Sequence, residues 1–94
     1  MAITTDHGAI EALRLLFLLE LDFHRSARSA SIQPIEFAEL HASLAIQHGY
    51  ERRLREARGA TAADLDRLLQ ELTPAADPED VLRAARSLRS ILYP

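Results

Sequence analysis

Histidines are the residues of this chain best suited to chemistry near neutral pH, because an imidazole ligates metals and exchanges protons in that range. The four are His7, His24, His41 and His48. Glu20 precedes His24 by four residues, a helical spacing at which the two side chains can hold one metal ion or share a hydrogen bond. His41 and His48 stand seven residues apart, about 10.5 Å on a helix, so sharing an ion requires ligands from a second helix. A metal-binding helical bundle is therefore one alternative function, beside the simpler expectation of histidines at the edge of a packed face.

Other catalytic motifs are missing from the sequence. The chain has no cysteine, which excludes disulfides, thiolate metal sites and cysteine nucleophiles. Most serines stand at residues 26–31 and at Ser87 and Ser90, not on a strand-to-helix turn of the kind that presents a nucleophile. The three glycines, too scattered to form a phosphate-binding loop, are Gly8, Gly49 and Gly59. The sequence therefore predicts no enzyme activity, no cofactor and no metal site.

Composition predicts a single folded domain over residues 1–94, since 48% of the residues are apolar and 27% are charged with both signs mixed. All eleven basic residues are arginine, which is typical of a bacterial genome rich in G and C. The absence of cysteine favours a reducing compartment, so we expect a cytoplasmic protein. The longest apolar run, residues 15–19, is far shorter than the roughly 20 residues that span a bilayer, and no membrane association is expected.

The first predicted helix begins near Thr5 or Asp6, either of which can cap its opening turn. Apolar residues crowd the stretch 10–23 and leave only one narrow polar stripe. Residues 26–31 are small or polar without an apolar period, and they predict a loop.

The second predicted helix begins at Pro34, where a missing N–H costs nothing, with Gln33 and Glu36 in a capping arrangement. Gly59 supplies its C-terminal stop. Gly49 lies inside this segment, and we expect a continuous helix that tolerates the glycine at a cost of about 1 kcal/mol.

Two shorter helices follow. Thr61 and Asp64 predict a capped start for the third, and Asp77 followed by Pro78 predicts the start of the fourth. The fold class is therefore all-α: a small four-helix bundle-like domain in which the two long helices form an antiparallel hairpin and the two shorter helices pack across it.

Arginines form two groups that could contact phosphate. They are Arg52, Arg53, Arg55 and Arg58 in the first group, and Arg83, Arg86 and Arg89 in the second. The last third of the chain resembles a helix-turn-helix in outline, so a nucleic-acid-binding regulator is the other alternative function. Against it, Asp77, Glu79 and Asp80 would repel phosphates at the start of the recognition helix, and the net charge is −3. The simpler expectation is that the first group pairs with Glu51 and Glu56.

The first helix carries the widest apolar surface, and Leu18 interrupts its polar stripe. Such a helix must be covered by the rest of its domain or by a second chain. The predicted partner-binding residues are Leu15, Leu18, Leu19 and Asp22. The preferred function is thus a small helical protein–protein interaction module, an adaptor, chaperone or accessory subunit, that acts as a homodimer or with a dedicated protein partner.

Overall fold

The computed structural model describes residues 7–93. Within them the chain forms α1 (His7–Ser29), α2 (Pro34–Gln47), α3 (Tyr50–Ala57), α4 (Ala62–Leu72) and α5 (Pro78–Leu92), with a one-turn 3-10 helix at Thr73–Ala75. No strand occurs in this part of the chain. The predicted all-α, bundle-like fold is confirmed.

The longest helix, α1, is the central element of the domain. Its side chains Leu13, Leu16 and Phe17 are fully buried, and α3 and α5 are the helices that cover it most extensively. Leu65 of α4 and Leu88 of α5 complete the same core. Burying each such side chain contributes about 1.5–3 kcal/mol. The wide apolar surface of residues 10–23 is therefore enclosed mainly by helices of the same chain.

The expectation of a loop over the whole of residues 26–31 is wrong, because α1 continues to Ser29. Arg28 donates two hydrogen bonds to the carboxylate of Asp80 on α5, at 2.8 and 3.2 Å, and this tertiary contact anchors a segment whose local pattern is not helical. The chain leaves the helix at Ser31, which has a positive φ of 54°. The expected cap at Thr5 or Asp6 lies outside the described residues.

The expected continuous second helix is also wrong, since the chain bends between α2 and α3. Gly49 adopts φ 64° and ψ 35°, a left-handed conformation that costs a residue with a Cβ about 1–2 kcal/mol and costs glycine little. The glycine therefore ends one helix and starts another. As a result His41 of α2 and Tyr50 of α3 both reach the same carboxylate of α1.

The expected caps of the shorter helices are confirmed. Asp64 N–H donates to Thr61 Oγ1 at 3.2 Å, and Thr61 N–H donates back to the Asp64 carboxylate at 2.8 Å. Asp77 accepts a hydrogen bond from the Glu79 N–H at 2.9 Å. These bonds satisfy amide groups that the opening turns leave without helical partners. None of the helices in residues 7–93 is long and apolar enough to cross a membrane.

Candidate functional site

A charged side chain lies in the middle of the domain. Glu20 of α1 is 0% exposed. Tyr50 of α3 donates its hydroxyl hydrogen to Glu20 Oε1, and His41 Nε2 of α2 lies 2.7 Å from the same oxygen. One turn along α1, His24 Nε2 lies 3.4 Å from Glu20 Oε2. These four residues, the Glu20 cluster, join three helices at one carboxylate.

The Glu20 cluster holds its carboxylate in the charged form. Burial by itself raises the pKa of Glu20, but the polar contacts of His24, Tyr50 and His41 with the carboxylate outweigh it, and the net result is a pKa below the ordinary value. Burial and the negative charge of Glu20 raise the pKa of Tyr50, because both disfavour a phenolate. Tyr50 is therefore a permanent donor and Glu20 a permanent acceptor near neutral pH.

Aromatic rings and hydroxyls surround the Glu20 cluster. The Phe37 ring of α2 stacks on His24 with centroids 4.8 Å apart, and His24 Nε2 lies 3.3 Å from Ser87 Oγ of α5. The Phe23 ring meets His41 edge-on at 5.0 Å. A cavity of about 350 Å³ opens beside these groups between α2 and α5. The packing fixes the orientation of both histidine rings.

The Glu20 cluster is a network of polar contacts between helices. Within residues 7–93, no three His, Asp or Glu side chains are placed to hold a metal ion together. Glu20 Oε2 is buried without a hydrogen bond that meets normal geometry, and His24 Nε2 lies 3.4 Å from it. The side chains of Glu20 and His24 are therefore in contact, as their spacing predicted. What the cluster does is attach α2 and α3 to α1.

The residues predicted to bind a partner lie together in one groove. Its lining consists of Leu15, Leu18, Leu19, Asp22, His48 and Arg53. The groove has a volume of about 300 Å³ and lies between α1 and the start of α3. Leu18 is 43% exposed, while Leu15 and Leu19 are half-buried. The sequence pattern did not assign His48 and Arg53 to this site, because they reach it only through the bend at Gly49. Partner binding at this groove remains a prediction.

A second apolar surface, which the sequence pattern did not reveal, lies on α2. Eight of the 14 residues of α2 are alanine, isoleucine, leucine or phenylalanine, yet none of the 14 is buried. Phe37 and His41 face the Glu20 cluster. The exposed side, the α2 outer face, consists of Ile35, Ala42 and Ile46, with Ala38 at its edge toward the cavity between α2 and α5. Ile35 is 72% exposed and Ile46 is 83% exposed. The available signal was an apolar arc over residues 35–46 too wide for one neighbouring helix to cover.

A groove at the bend between α2 and α3 continues the α2 outer face. The lining of this junction groove is Ala45, Ile46, Gly49, Tyr50, Glu51, Arg52, Leu54 and Arg55. Its volume is about 370 Å³. The lining combines the aliphatic side chains of Ala45, Ile46 and Leu54 with Arg52 and Arg55. The groove therefore suits an aliphatic side chain that has an acidic neighbour.

The arginine groups are largely paired with acids. Arg52 lies 3.9 Å from Glu56 and Arg55 lies 3.9 Å from Glu51, which confirms the expected pairing for these two arginines of the first group, whereas Arg53 donates to the His48 carbonyl at 3.3 Å. In the second group, Arg83 lies 2.8 Å from Glu79 and Arg89 lies 2.5 Å from Asp66. The start of α5 carries Asp77, Glu79 and Asp80. Several of the arginines that would have to contact a phosphate backbone therefore have acidic side chains nearby, and these acids would repel phosphates.

Comparisons with protein-family models, with curated proteins and with solved structures found no match to this chain.

Proposed function

We propose that the chain is a small helical protein–protein interaction module and that the α2 outer face is the surface its partner covers. The observation that supports this most strongly is the state of α2, an apolar helix without a buried residue. Removing apolar surface from water contributes about 25 cal/mol per Å². Burial of Ile35 and Ile46 would contribute most to the binding free energy, because they are the most exposed large apolar residues of the described chain.

The stability of α2 also favours a partner. An isolated helix shorter than about 12–15 residues is marginal in water, and most helices in proteins gain their stability from packing. With 14 residues and contacts on one side only, α2 lies at this limit. A partner that offers its own apolar helix would cover the exposed side and stabilise α2.

The Glu20 cluster gives the α2 outer face a defined direction. Because His41 and Phe37 hold the inner side of α2 against α1, the opposite side turns away from the core. The module thus presents a preformed helical surface. An adaptor, chaperone or accessory subunit needs such a surface. The chain has no cysteine and all its basic residues are arginine, which favours the cytoplasm of a bacterium as the location of the module.

The groove of Leu15, Leu18, Leu19 and Asp22 is the second surface on which a partner is predicted. Leu18 is its most exposed leucine among the residues described. Leu18→Glu is expected to weaken partner binding there while helix content stays unchanged. Unfolding of this variant would show that Leu18 belongs to the core.

A photo-crosslinking side chain tests the proposed function even though the partner is unidentified. It is placed at Ser43, which is exposed beside the α2 outer face, and in a control at Arg86, which is exposed on α5. In an extract of the host cell, Ser43 should give a discrete cross-linked protein, either a second copy or another chain, and Ile46→Glu should abolish it. Equal cross-linking from Ser43 and Arg86, or none from Ser43, would reject the α2 outer face as a binding surface.

A further inference from the structure

We infer that the partner of the α2 outer face is a second copy of this chain, paired antiparallel about a two-fold axis. This inference rests on the proposed function and adds the identity and orientation of the partner. In a two-fold interface the same patch must fit itself, so the patch has to be self-complementary in shape and in charge.

The shape of the α2 outer face meets this condition. Ile35 and Ile46 stand at its ends, and the small side chains Ala38 and Ala42 stand between them. When the helix direction is reversed, the order large, small, small, large is kept. In an antiparallel pair, Ile35 lies opposite Ile46 of the second copy, and the alanines let the two helix axes approach closely.

Charge favours the antiparallel orientation over the parallel one. Glu36 and Glu39 lie in the N-terminal half of α2, and Arg52 and Arg55 lie just beyond its C-terminal end. The acidic partners of these two arginines in α3 are 3.9 Å away, beyond hydrogen-bond distance, so a carboxylate of a second chain can make a closer contact with each guanidinium group. Antiparallel pairing brings Glu36 of one copy toward the arginines of the other. Parallel pairing would instead place Glu36 beside Glu36 of the second copy, which is destabilising.

The junction groove supplies a site for the end of the second α2. Its volume of about 370 Å³ and its contacts with Ala45 and Leu54 suit an isoleucine side chain. In the antiparallel pair, Ile35 of the second copy enters this groove, and the adjacent Glu36 of that copy comes toward Arg52 and Arg55. The two-fold axis repeats the contact, so each chain both supplies an isoleucine and provides a groove.

Disulfide formation between single-cysteine variants tests the orientation, because the natural chain has no cysteine. Ala38→Cys and Ala42→Cys are small changes at exposed positions, and circular dichroism checks that both variants fold. In the antiparallel pair, position 38 lies nearly opposite position 42. Identical positions are offset along the axis by about 7.5 Å for residue 38 and about 4.5 Å for residue 42. A disulfide requires Cα atoms within about 7 Å.

The expected result on mild oxidation is severalfold more disulfide-linked dimer from a mixture of the two variants than from Ala38→Cys alone, because the axial offset of position 38 already exceeds the limit for a disulfide. Ala42→Cys alone, with its smaller offset, should give an intermediate amount. Efficient dimers from each variant alone would show parallel pairing and overturn the inference, while the proposed function would stand. A purified chain that stays monomeric and forms no disulfide would also overturn it. In that case the cross-linking at Ser43 in host extract decides whether a different protein occupies the α2 outer face or the proposed function fails as well.

Discussion

His41 Nε2 of α2 lies 2.7 Å from Glu20 Oε1 of α1, and this contact determines which side of α2 faces solvent. Tyr50, just after the bend at Gly49, donates to the same oxygen from α3. One buried carboxylate therefore receives hydrogen bonds from both sides of the bend. Although α2 has no fully buried residue, it is held to the core by the contacts of His41 and Phe37 and by the half-buried side chains Leu44 and Ala45.

Tyr50→Phe should destabilise the fold by about 1.5–3 kcal/mol, the usual contribution of a hydrogen bond to a charged group. The change removes the hydroxyl donor and leaves Glu20 buried with less compensation. Tyr93→Phe is the matched control, because its hydroxyl donates to the neutral Ala60 carbonyl at 3.1 Å, and its loss should be about 1 kcal/mol. Urea unfolding measures both. Equal losses would show that the charge of Glu20 is not what makes the Tyr50 contact strong.

Stability should fall in acid partly through Glu20. Its folded-state pKa is below the ordinary value of 4.5, so in that range the unfolded chain binds more protons and stability rises with pH. The contribution of Glu20 is complete above pH 4.5 and is lost as the pH falls through the folded-state pKa. The groups that face Glu20 are His24, His41 and Tyr50.

The measurement is urea unfolding from about pH 6 to about pH 3 for the natural chain and for Glu20→Gln, which cannot ionise. The variant should lose less stability on acidification. Asp64 and Asp80 also have lowered pKa values, and their contribution to the loss of stability in acid is present in both proteins. The difference between the two curves therefore isolates Glu20, and parallel curves would contradict its assigned role.

The regular parts of the fold could be predicted from the sequence because their signals are local. Thr61 with Asp64, and Asp77 with Pro78, mark helix starts by hydrogen bonds that span only two or three residues. The end of α1 could not be predicted, because Arg28 is held by Asp80, 52 residues away in the chain. The bend at Gly49 had a visible signal, but its outcome depends on tertiary contacts of Tyr50 that local propensity does not contain.

Gly49→Ala should cost roughly 1–2 kcal/mol, because alanine is disfavoured at the positive φ of 64°. A Cβ at this position would meet no atom within 4 Å, so the cost comes from the backbone conformation alone. Gly49→Asn should cost less, since asparagine tolerates the left-handed region. Thermal unfolding compares the two variants. A more stable alanine variant would mean that α2 and α3 form one continuous helix in solution.

Arg28→Ala should lower the unfolding midpoint clearly, because it leaves the Asp80 carboxylate, only 3% exposed, without its cation. Arg25→Ala is the control, since Arg25 pairs with Asp22 at an exposed site and its removal should change stability by no more than about 0.5 kcal/mol. Thermal melts of both variants give the comparison. Similar small effects would show that Arg28 does not anchor the end of α1.

The candidate site could be predicted only in part. The spacing of Glu20 and His24 indicated a contact on one helix, but His41 and Tyr50 join it through folding. The periodicity of α1 alone predicted that Leu15, Leu18, Leu19 and Asp22 form one surface, and they line one groove, whereas partner binding there stays a prediction. The α2 outer face was harder to anticipate, because a wide apolar arc does not show which side the core will cover.

The most direct test of the α2 outer face as a contact between two copies is sedimentation equilibrium of the purified chain. The natural chain should form dimers that dissociate on dilution. Ile46→Glu should weaken dimerisation about tenfold or more, since a charge desolvated in the interface costs at least about 1.4 kcal/mol. Leu82→Glu, at a leucine 56% exposed on α5, should leave dimerisation unchanged. A natural chain that is monomeric at every concentration, or dimers that withstand Ile46→Glu but not Leu82→Glu, would contradict the account.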